Sequence, residues 1–223
     1  VFLRELTGGI YFGESGRKDG GNTAFDTCTY TRSEIERLAR KGFEMARSRS
    51  GKLCCVDKAN VLESSRLWRE TVQELEKEYT DVSVSYEFVD AVAMRLVQWP
   101  NSYDVLITEN LFGDILTDEA SVISGSMGLM PSASLGEKTS LFEPIHGSFP
   151  QATGKDIANP LATVLSAAMM FEMSFGLHEE GALIRKVVDQ SLAEGIVTED
   201  LVEAGGKACK TSEVGDYLAT KIV

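Results

Sequence analysis

The strongest constraint on the fold is an alternation of helical and strand patterns that begins at residue 31. Thr31 and Glu34 form a capping box, the signature of a helix start, and apolar residues recur with helical spacing as far as Ala46. The next patterns along the chain are a strand over 52–57, a helix that Ser64 or Ser65 caps, a strand over 82–88, a helix over 90–98, a strand over 103–109 and a helix that contains Asp114. Such alternation with short connections predicts an α/β fold, with helices packed on the faces of a sheet and ligand sites at the strand ends.

The character of the chain changes near Gly125. Residues 125–136 are rich in small side chains, and most of the chain after residue 136 has helical patterns, over 159–175, 178–194 and 212–222. We therefore expect a domain boundary near residue 124, with one domain over 1–124 and a second over 125–223. The chain starts without an initiator Met, in what reads as the middle of a strand, so we expect it to be part of a longer protein.

Composition narrows the class of partner. The 223 residues include 34 acidic and 22 basic side chains, and the net charge of −12 opposes binding to nucleic acid or anionic membranes and favours a small molecule. The longest apolar runs, such as 161–171, are too short to span a bilayer, and nothing at the start resembles a signal peptide. The four cysteines show no paired spacing, and Cys54 and Cys55 fall on a buried strand and point to opposite faces. These features predict reduced thiols in a cytoplasmic protein.

Asp114 and Asp118 are the first candidates for chemistry. They lie four residues apart at the start of an apolar helix, so both carboxylates share one face, beside a glycine, Gly113, that lets a ligand approach. The pair predicts half of a divalent-metal site. Paired acids in a first helical turn are also common as partners of the helix dipole, and the spacing alone leaves both interpretations open.

Three further residues lie where α/β enzymes keep their chemistry. Lys58 comes directly after a predicted strand, and it is either a base or an ordinary surface residue. Tyr11 follows a Gly-Gly pair, and its phenol is either a proton donor or the amphipathic packing of a strand tyrosine. Asp90 is either a third carboxylate ligand or the cap of the helix that it opens.

His146 is one of only two histidines and lies in a loop with Glu143, Gly147 and Ser148. Gly147 permits close approach of a ligand to the backbone, and Asn159 follows one loop later, so one interpretation is a pocket for a flat polar ring such as adenine. The other is an ordinary solvated loop. No G-x-G-x-x-G follows a predicted strand, which argues against a Rossmann dinucleotide site.

Five motifs, in order and across nearly the whole chain, resemble those of the isocitrate/isopropylmalate dehydrogenase family, the decarboxylating β-hydroxyacid dehydrogenases. They are Arg4-Glu-Leu-Thr-Gly-Gly-Ile-Tyr-Phe-Gly13, Asp57-Lys-Ala-Asn-Val-Leu62, the run from Asn110 to Asp118, Glu143-Pro-Ile-His-Gly-Ser148 and Ile157-Ala-Asn-Pro160. The first motif looks like the isopropylmalate branch, because other branches share the Lys, Asp and His motifs but usually differ there. The resemblance implies an isopropylmalate dehydrogenase-like, two-domain α/β sandwich without a Rossmann site, with the first part of that fold missing from this chain.

The resemblance also implies a reaction. In the isopropylmalate branch, NAD oxidises (2R,3S)-3-isopropylmalate, the neighbouring carboxylate leaves as CO2, and protonation of the enol gives 4-methyl-2-oxopentanoate in leucine biosynthesis. Mg²⁺ or Mn²⁺ supplies Lewis acidity at the substrate hydroxyl. Tartrate and D-malate dehydrogenases of the same family, and a noncatalytic subunit, are alternatives that the sequence leaves open. A full family member has further residues before Arg4, including the loop that reads the isopropyl group, so we expect this stretch alone to be inactive.

By this resemblance, seven residues form the substrate and metal site. They are Arg4 as a clamp for a substrate carboxylate, Tyr11 as the acid that protonates the enol carbon, Lys58 as the general base, Asn60 near the substrate and the nicotinamide, and Asp90, Asp114 and Asp118 as metal ligands, with Asp90 also near the substrate. In the family Lys58, Asn60 and Asp90 reach across a subunit interface. The resemblance therefore implies a homodimer with shared active sites.

For NAD, the resemblance assigns residues of the second domain. They are His146 and Asn159 at the adenine, Glu143 near the nicotinamide, and Gly147, Ser148 and Gln151 around them. Gln151 departs from the family pattern, because NAD-using relatives commonly carry an acid there that holds the adenosine ribose hydroxyls. An amide hydrogen-bonds a diol but does not repel a 2′-phosphate, so we expect NAD and leave discrimination against NADP open.

Overall fold

The computed structural model describes residues 1–202 and 204–222. The chain forms two compact units, Val1–Ala120 and Ser121–Val223. The first unit contains, in chain order, β1 (Phe2–Arg4), β2 (Ser15–Lys18), β3 (Thr23–Asp26), α1 (Arg32–Arg47), β4 (Lys52–Asp57), α2 (Glu63–Glu76), β5 (Ser83–Phe88), α3 (Val89–Gln98), β6 (Val105–Thr108) and α4 (Asn110–Ser121), whose last residue begins the second unit. The predicted alternation of strands and helices is therefore confirmed.

Four strands of the first unit form a parallel sheet in the order β1-β6-β4-β5. Arg4 is opposite Thr108 in β6, Thr108 is opposite Val56 in β4, and Asp57 is opposite Phe88 in β5. Because these strands run in one direction, their carboxyl ends share one edge of the sheet. The strands β2 and β3 form a separate antiparallel hairpin.

The sheet buries apolar side chains on both faces. Alternate residues of β4 divide between two cores: Leu53 and Cys55 join the side chains of α1 and α2, whereas Cys54 and Val56 join those of α3 and α4. The predicted opposite orientation of the two adjacent cysteines is confirmed. Both thiols are buried, and burial raises the pKa of Cys54 to about 12, so it remains an inert thiol.

Two helix starts show where local sequence signals succeed and fail. The Thr31 hydroxyl accepts a hydrogen bond from the backbone N–H of Glu34 at 3.4 Å, and Glu34 accepts one from the backbone of Thr31 at 2.7 Å, so the predicted capping box is confirmed. The predicted serine cap of α2 is wrong, because α2 begins at Glu63 without a side-chain cap. The reason is a tight turn after β4, in which the backbone N–H of Leu62 already donates to the carbonyl of Lys58.

The second unit contains β7 (Pro131–Leu135), β8 (Ser140–Pro144), α5 (Leu161–Ser174), α6 (His178–Ala193) and α7 (Thr211–Ile222). The two strands form an antiparallel hairpin, and Leu161, Val188 and Val214 join the three helices in one core. Sequence analysis missed this hairpin because its strands have only five residues each and contain few large apolar side chains. None of the helices in the described part of the chain has the length and apolar character needed to cross a membrane.

Candidate active site

The carboxyl edge of the parallel sheet collects most of the predicted site residues of the first unit. Arg4 ends β1, Lys58 directly follows β4, Asp90 lies in the first turn after β5, and Asn110 opens the helix after β6. In a parallel α/β sheet this is the edge at which ligands bind. The topology alone therefore brings together residues that lie more than a hundred positions apart in the chain.

Arg4 forms the centre of the first group of side chains. Its Nε and Nη2 donate to Asn110 Oδ1 at 2.9 and 2.8 Å, and its Nη1 donates to Asp114 Oδ1 at 2.6 Å. A Cβ added to Gly113 would lie 2.7 Å from Arg4 Cγ. The absence of a side chain at Gly113 therefore lets Arg4 lie across α4, which corrects the expectation that this glycine serves the approach of a ligand.

Tyr11 joins the same group through its hydroxyl, which donates to Asp114 Oδ2 at 2.8 Å. This hydrogen bond raises the pKa of Tyr11, so the phenol holds its proton at neutral pH. Tyr11 ends a single 3₁₀ turn, Gly9–Tyr11, so the description of it as a strand tyrosine is wrong. The residue is half exposed, so its hydroxyl oxygen is accessible to a ligand.

Asp114 is held on both carboxylate oxygens, one by Arg4 and one by Tyr11, and its side chain is 46% exposed. Each oxygen keeps a second lone pair, so the carboxylate can still bind a cation. Asp118 follows one helical turn later and is exposed. Among the residues that the structure describes, no three His, Cys, Asp or Glu side chains lie together as a metal site. Asp114 and Asp118 therefore fit a hard divalent metal only as a half-site that needs a further ligand.

Lys58 and Asp90 form a second group. The ammonium donates to Asp90 Oδ1 at 2.5 Å and lies 5.6 Å from the centre of the Phe88 ring. This hydrogen bond holds the pKa of Asp90 below its ordinary value, so Asp90 is a carboxylate at neutral pH. Asp90 lies in the first turn of α3 and does not cap it. Asn60 is exposed in the turn after Lys58.

Sequence analysis missed three buried carboxylates behind this edge, each directly beside a predicted site residue or its partner. Glu5, Asp57 and Glu109 are 3%, 1% and 6% exposed. Asp57 accepts from Arg69 at 2.8 and 3.0 Å, a bidentate pair, and from the backbone N–H of Ala59 at 2.9 Å. The sequence does contain a signal for Asp57: a single acid ends a strand after a run of apolar, buried residues, which indicates a buried carboxylate with a partner in the chain.

The carboxylates of Glu5 and Glu109 likewise accept their hydrogen bonds from other groups of the chain. Glu5 accepts from the Arg37 guanidinium at 2.8 Å and from the backbone and hydroxyl of Thr7 at 2.9 and 2.6 Å. Glu109 accepts from the Tyr30 hydroxyl at 2.8 Å and from the backbone N–H of Phe112 at 2.9 Å. Buried carboxylates with such partners support the loops of the site and are not available to a ligand.

In the second unit, the loop after β8 carries most of the residues predicted to contact NAD. His146 is half-buried, with Nδ1 3.0 Å from the carbonyl oxygen of Gly147. The space around Gly147 is open, and Ser148 and Gln151 are exposed. Glu143 is exposed on β8. These side chains are accessible to a ligand, and the contacts that they make within the chain do not depend on one.

Asn159 is more constrained than the sequence indicates. Its Oδ1 accepts from the backbone N–H of Leu161 at 2.9 Å, at the start of α5, and its Nδ2 donates to Asp200 Oδ2 at 2.9 Å. Although burial acts to raise it, the pKa of Asp200 is held below its ordinary value by bonds from Ser126, Thr198 and Asn159. Sequence analysis missed Asp200, because two of its three partners, Ser126 and Asn159, are distant along the chain. The amide of Asn159 retains one N–H and one lone pair for a further partner.

A parallel sheet whose carboxyl edge carries a guanidinium, an ammonium, a phenol and paired carboxylates is typical of the class of α/β proteins that bind small polar ligands at their strand ends. Similarity to known proteins identifies the family within this class. A model of the family described as isocitrate/isopropylmalate dehydrogenase matches residues 1–218, and the chain belongs to that family.

Curated relatives and solved structures agree with this assignment. The chain is 53% identical over 216 residues to a 3-isopropylmalate dehydrogenase of Desulfitobacterium hafniense and 56% identical over 220 residues to one of Bacteroides fragilis, covering 97% and 99% of this chain. It spans 61% and 62% of those relatives' own lengths. A crystal structure of isocitrate dehydrogenase from Methylococcus capsulatus has a TM-score of 0.92 at 36% identity, over 99% of this chain and 66% of that one. A β-decarboxylating dehydrogenase from Thermococcus kodakarensis has a TM-score of 0.85 at 38% identity, over 98% and 63%.

Proposed function

We propose that the protein catalyses the NAD-dependent oxidative decarboxylation of (2R,3S)-3-isopropylmalate to 4-methyl-2-oxopentanoate and CO2, in leucine biosynthesis. Identities of 53% and 56% to relatives named 3-isopropylmalate dehydrogenase support this branch of the family, compared with 36% to the solved isocitrate dehydrogenase. The observation that carries the proposal is the cluster of Arg4, Tyr11 and Asp114 at the carboxyl edge of the sheet.

Arg4 is the proposed clamp for a substrate carboxylate. Its bonds to Asn110 and Asp114 use three of the five guanidinium N–H groups and fix the plane of the group. Two N–H groups are left over from this network, enough for a bidentate or bridging bond to a carboxylate. The side chain is 24% exposed, so its charge is partly desolvated but accessible.

Asp114 and Asp118 are the proposed metal ligands in one protomer, and Asp90 of a second copy is the proposed third carboxylate. Hard oxygen donors of this kind suit Mg²⁺ or Mn²⁺. When bound, the metal supplies Lewis acidity at the substrate hydroxyl and carboxylate. Arg4 offsets the charge of Asp114 and Tyr11 helps to orient its carboxylate, so that two neighbouring carboxylates on one helix face are tolerated.

Tyr11 and Lys58 are the proposed proton carriers. Tyr11 keeps its phenolic proton at neutral pH, which suits an acid that delivers a proton to carbon. In the Lys58–Asp90 pair the ammonium is the donor, so Lys58 becomes a base only when that bond is broken and its proton is passed on. Binding of Asp90 to the proposed metal would break its bond with Lys58, and Lys58 could then act as the base. Asn60 is proposed to lie near the substrate and the nicotinamide.

NAD is the proposed cofactor of the second unit. Glu143, His146, Gly147, Ser148, Gln151 and Asn159 are its proposed contacts. Open space at Gly147 and the exposure of Ser148 and Gln151 support this assignment. The Gln151 amide would hydrogen-bond the adenosine ribose, without the charge that excludes a 2′-phosphate. Residues 1–124 are the proposed substrate, metal and dimer domain, and 125–223 the carboxyl-terminal part of the cofactor domain.

A homodimer with shared active sites is the proposed assembly. Met94 and Val97 on α3 and Ile115 on α4 are 61%, 70% and 57% exposed, which supports a surface that a second copy covers. A cytoplasmic location is also proposed, because all four cysteines are free thiols. The net charge of −12 opposes nucleic acid and anionic membranes as partners.

The test is NADH production by the purified full-length protein with Mg²⁺. We expect 3-isopropylmalate to be preferred to D-malate and tartrate, and NAD to NADP. A preference for D-malate or tartrate would move the protein to a sister branch. No turnover with any of the three would support a noncatalytic subunit instead, and a preference for NADP would overturn the role proposed for Gln151.

A further inference from the structure

Tyr30 lies behind the proposed site, in the segment between β3 and α1, and is 6% exposed. Its hydroxyl donates to Glu109 Oε2 at 2.8 Å and accepts from the backbone N–H of Asn110 at 2.9 Å. Both partners lie 79 or 80 residues further along the chain, where β6 passes into α4. The Tyr30 hydroxyl therefore links the segment before α1 to the start of α4, the helix that carries Asp114.

The start of α4 depends on these bonds. The first N–H groups of a helix have no partner within the helix and must be satisfied from outside. The Tyr30 hydroxyl takes the N–H of Asn110, and the Glu109 carboxylate takes that of Phe112 at 2.9 Å. The bond from Tyr30 also orients the Glu109 carboxylate toward the backbone N–H of Phe112. Tyr30 and Glu109 thus act together as the cap of α4.

The same helix start carries the partners of Arg4. Asn110 Oδ1 accepts two bonds from the guanidinium, and Asn110 Nδ2 donates to the carbonyl of Gly8 at 3.1 Å. Asp114, one turn further on, accepts the third bond of Arg4. A shift of the first turn of α4 would therefore move both groups that fix the guanidinium.

We propose that Tyr30 is a positioning residue that holds Arg4 and Asp114 in register through the first turn of α4. This inference rests on the function proposed above for Arg4. The phenol, and not only the ring, fits the site: a Cβ added to Gly9 would lie 2.1 Å from the Tyr30 hydroxyl oxygen, so the Gly8-Gly9 pair leaves room for that oxygen. The ring itself packs edge-on against Trp68, with 5.6 Å between the ring centres.

Burial raises the pKa of Tyr30, so the hydroxyl remains a donor to Glu109 across the working pH range. Replacement by phenylalanine keeps the ring and its contact with Trp68 and removes only the two hydrogen bonds. Tyr103→Phe is the matched control. Tyr103 lies before β6, and its hydroxyl also donates to a carboxylate, that of Glu87, at 2.9 Å.

The experiment compares both variants with the full-length wild-type protein. Tyr30→Phe leaves a buried carboxylate and a buried N–H without their partner, so we expect the KM for 3-isopropylmalate to rise about tenfold. We expect the KM for NAD to stay within about twofold, because the proposed NAD contacts, apart from Asn60, belong to the second unit and none of them bonds to Tyr30. Tyr103→Phe should leave both values unchanged. A fall in melting temperature for Tyr30→Phe with an unchanged substrate KM would overturn the inference, because it would show a structural role alone.

A second readout separates this inference from the proposed function. The Nε–H NMR signal of Arg4, assigned with Arg4→Lys, should shift in Tyr30→Phe and not in Tyr103→Phe, whether or not the wild type turns over isopropylmalate. An inactive wild type with a shifted Arg4 signal would overturn the function and retain the positioning role. An unshifted signal would overturn the positioning role. Glu109→Gln, which keeps the shape of the side chain, serves if Tyr30→Phe does not fold and should shift the same signal.

Discussion

Gly113→Ala offers a sharp test of how α4 and Arg4 fit together. The added Cβ would lie 2.7, 2.9 and 3.0 Å from Arg4 Cγ, Cδ and Cβ, whereas ordinary contact begins at 3.4 Å. Arg4 Cβ is fixed by the β1 backbone, and Cγ and Cδ move only if Arg4 changes its χ1 or χ2 rotamer, so rotation of the guanidinium alone does not relieve the clash. Either the helix moves away from β1 or Arg4 changes rotamer, and in both cases Arg4 loses its alignment with Asn110 and Asp114.

Two effects of opposite sign determine how far Gly113→Ala changes the free energy of unfolding. Replacement of glycine by alanine inside a helix stabilises it by about 1 kcal/mol. Hydrogen bonds to charged groups contribute about 1.5–3 kcal/mol each, and Arg4 makes three, in a site where Asp114 is 46% exposed and water weakens them. If the displacement costs about 3 kcal/mol in total, Gly113→Ala lowers the free energy of unfolding by about 2 kcal/mol.

Gly215→Ala is the matched control. Gly215 lies inside α7, and a Cβ added there meets nothing within 4 Å. We expect this variant to raise the free energy of unfolding by about 1 kcal/mol, from helix propensity alone. Urea unfolding of both variants, together with the KM for 3-isopropylmalate, is the assay. If Gly113→Ala were as stable as Gly215→Ala, with an unchanged KM, the reasoning about Arg4 would be refuted.

Three further expectations concern a buried ion pair, a carboxylate at the amino edge of the sheet and the proposed metal site. Asp57→Ala leaves the Arg69 guanidinium without its buried partner and should lower the free energy of unfolding by about 3 kcal/mol in urea unfolding; a loss under about 1 kcal/mol would contradict this. Hydrogen bonds, first of all from Ser50, hold the pKa of Asp104 at about 2 in the folded protein, against 3.8 ordinarily. A lowered folded pKa stabilises the fold above the ordinary value, so the difference in unfolding free energy between wild type and Asp104→Asn should be complete above pH 3.8 and shrink as the pH falls to about 2. Mn²⁺ at 100 times its Kd should stabilise the full-length protein by about 2.7 kcal/mol, measured as a thermal shift that Asp114→Asn abolishes.

The sequence predicts the helices of the first unit well because their apolar faces repeat with helical spacing. Phe43 and Trp68 are fully or almost fully buried, as that spacing requires. The hairpin of β7 and β8 carries no such signal, since each strand has five residues and the large apolar side chains of β8, Leu141 and Phe142, are adjacent instead of alternating with polar ones. Local periodicity therefore identifies long amphipathic elements and misses short strands whose pairing, rather than composition, defines them.

The site shows the same division between local and long-range information. Resemblance to the family identifies Arg4, Tyr11, Lys58 and Asp114 because their motifs are contiguous in sequence. The bonds of Tyr30 to the start of α4 join residues about 80 positions apart, and nothing in the local sequence of either segment indicates them. Such a contact depends on the order of strands in the sheet, which a single sequence does not determine.

The strand ends nevertheless follow a rule that the sequence contains. Three strands end in a pair of neighbouring polar residues: Arg4-Glu5 at the end of β1, Asp57-Lys58 at the end of β4 and Glu109-Asn110 directly after β6. The two members of a pair have different partners; Lys58 binds Asp90, for example, whereas Asp57 binds Arg69. In all three pairs one member is a buried carboxylate bound by donors of the chain itself. A buried acid next to a residue of the site thus holds each loop in place from the side of the core.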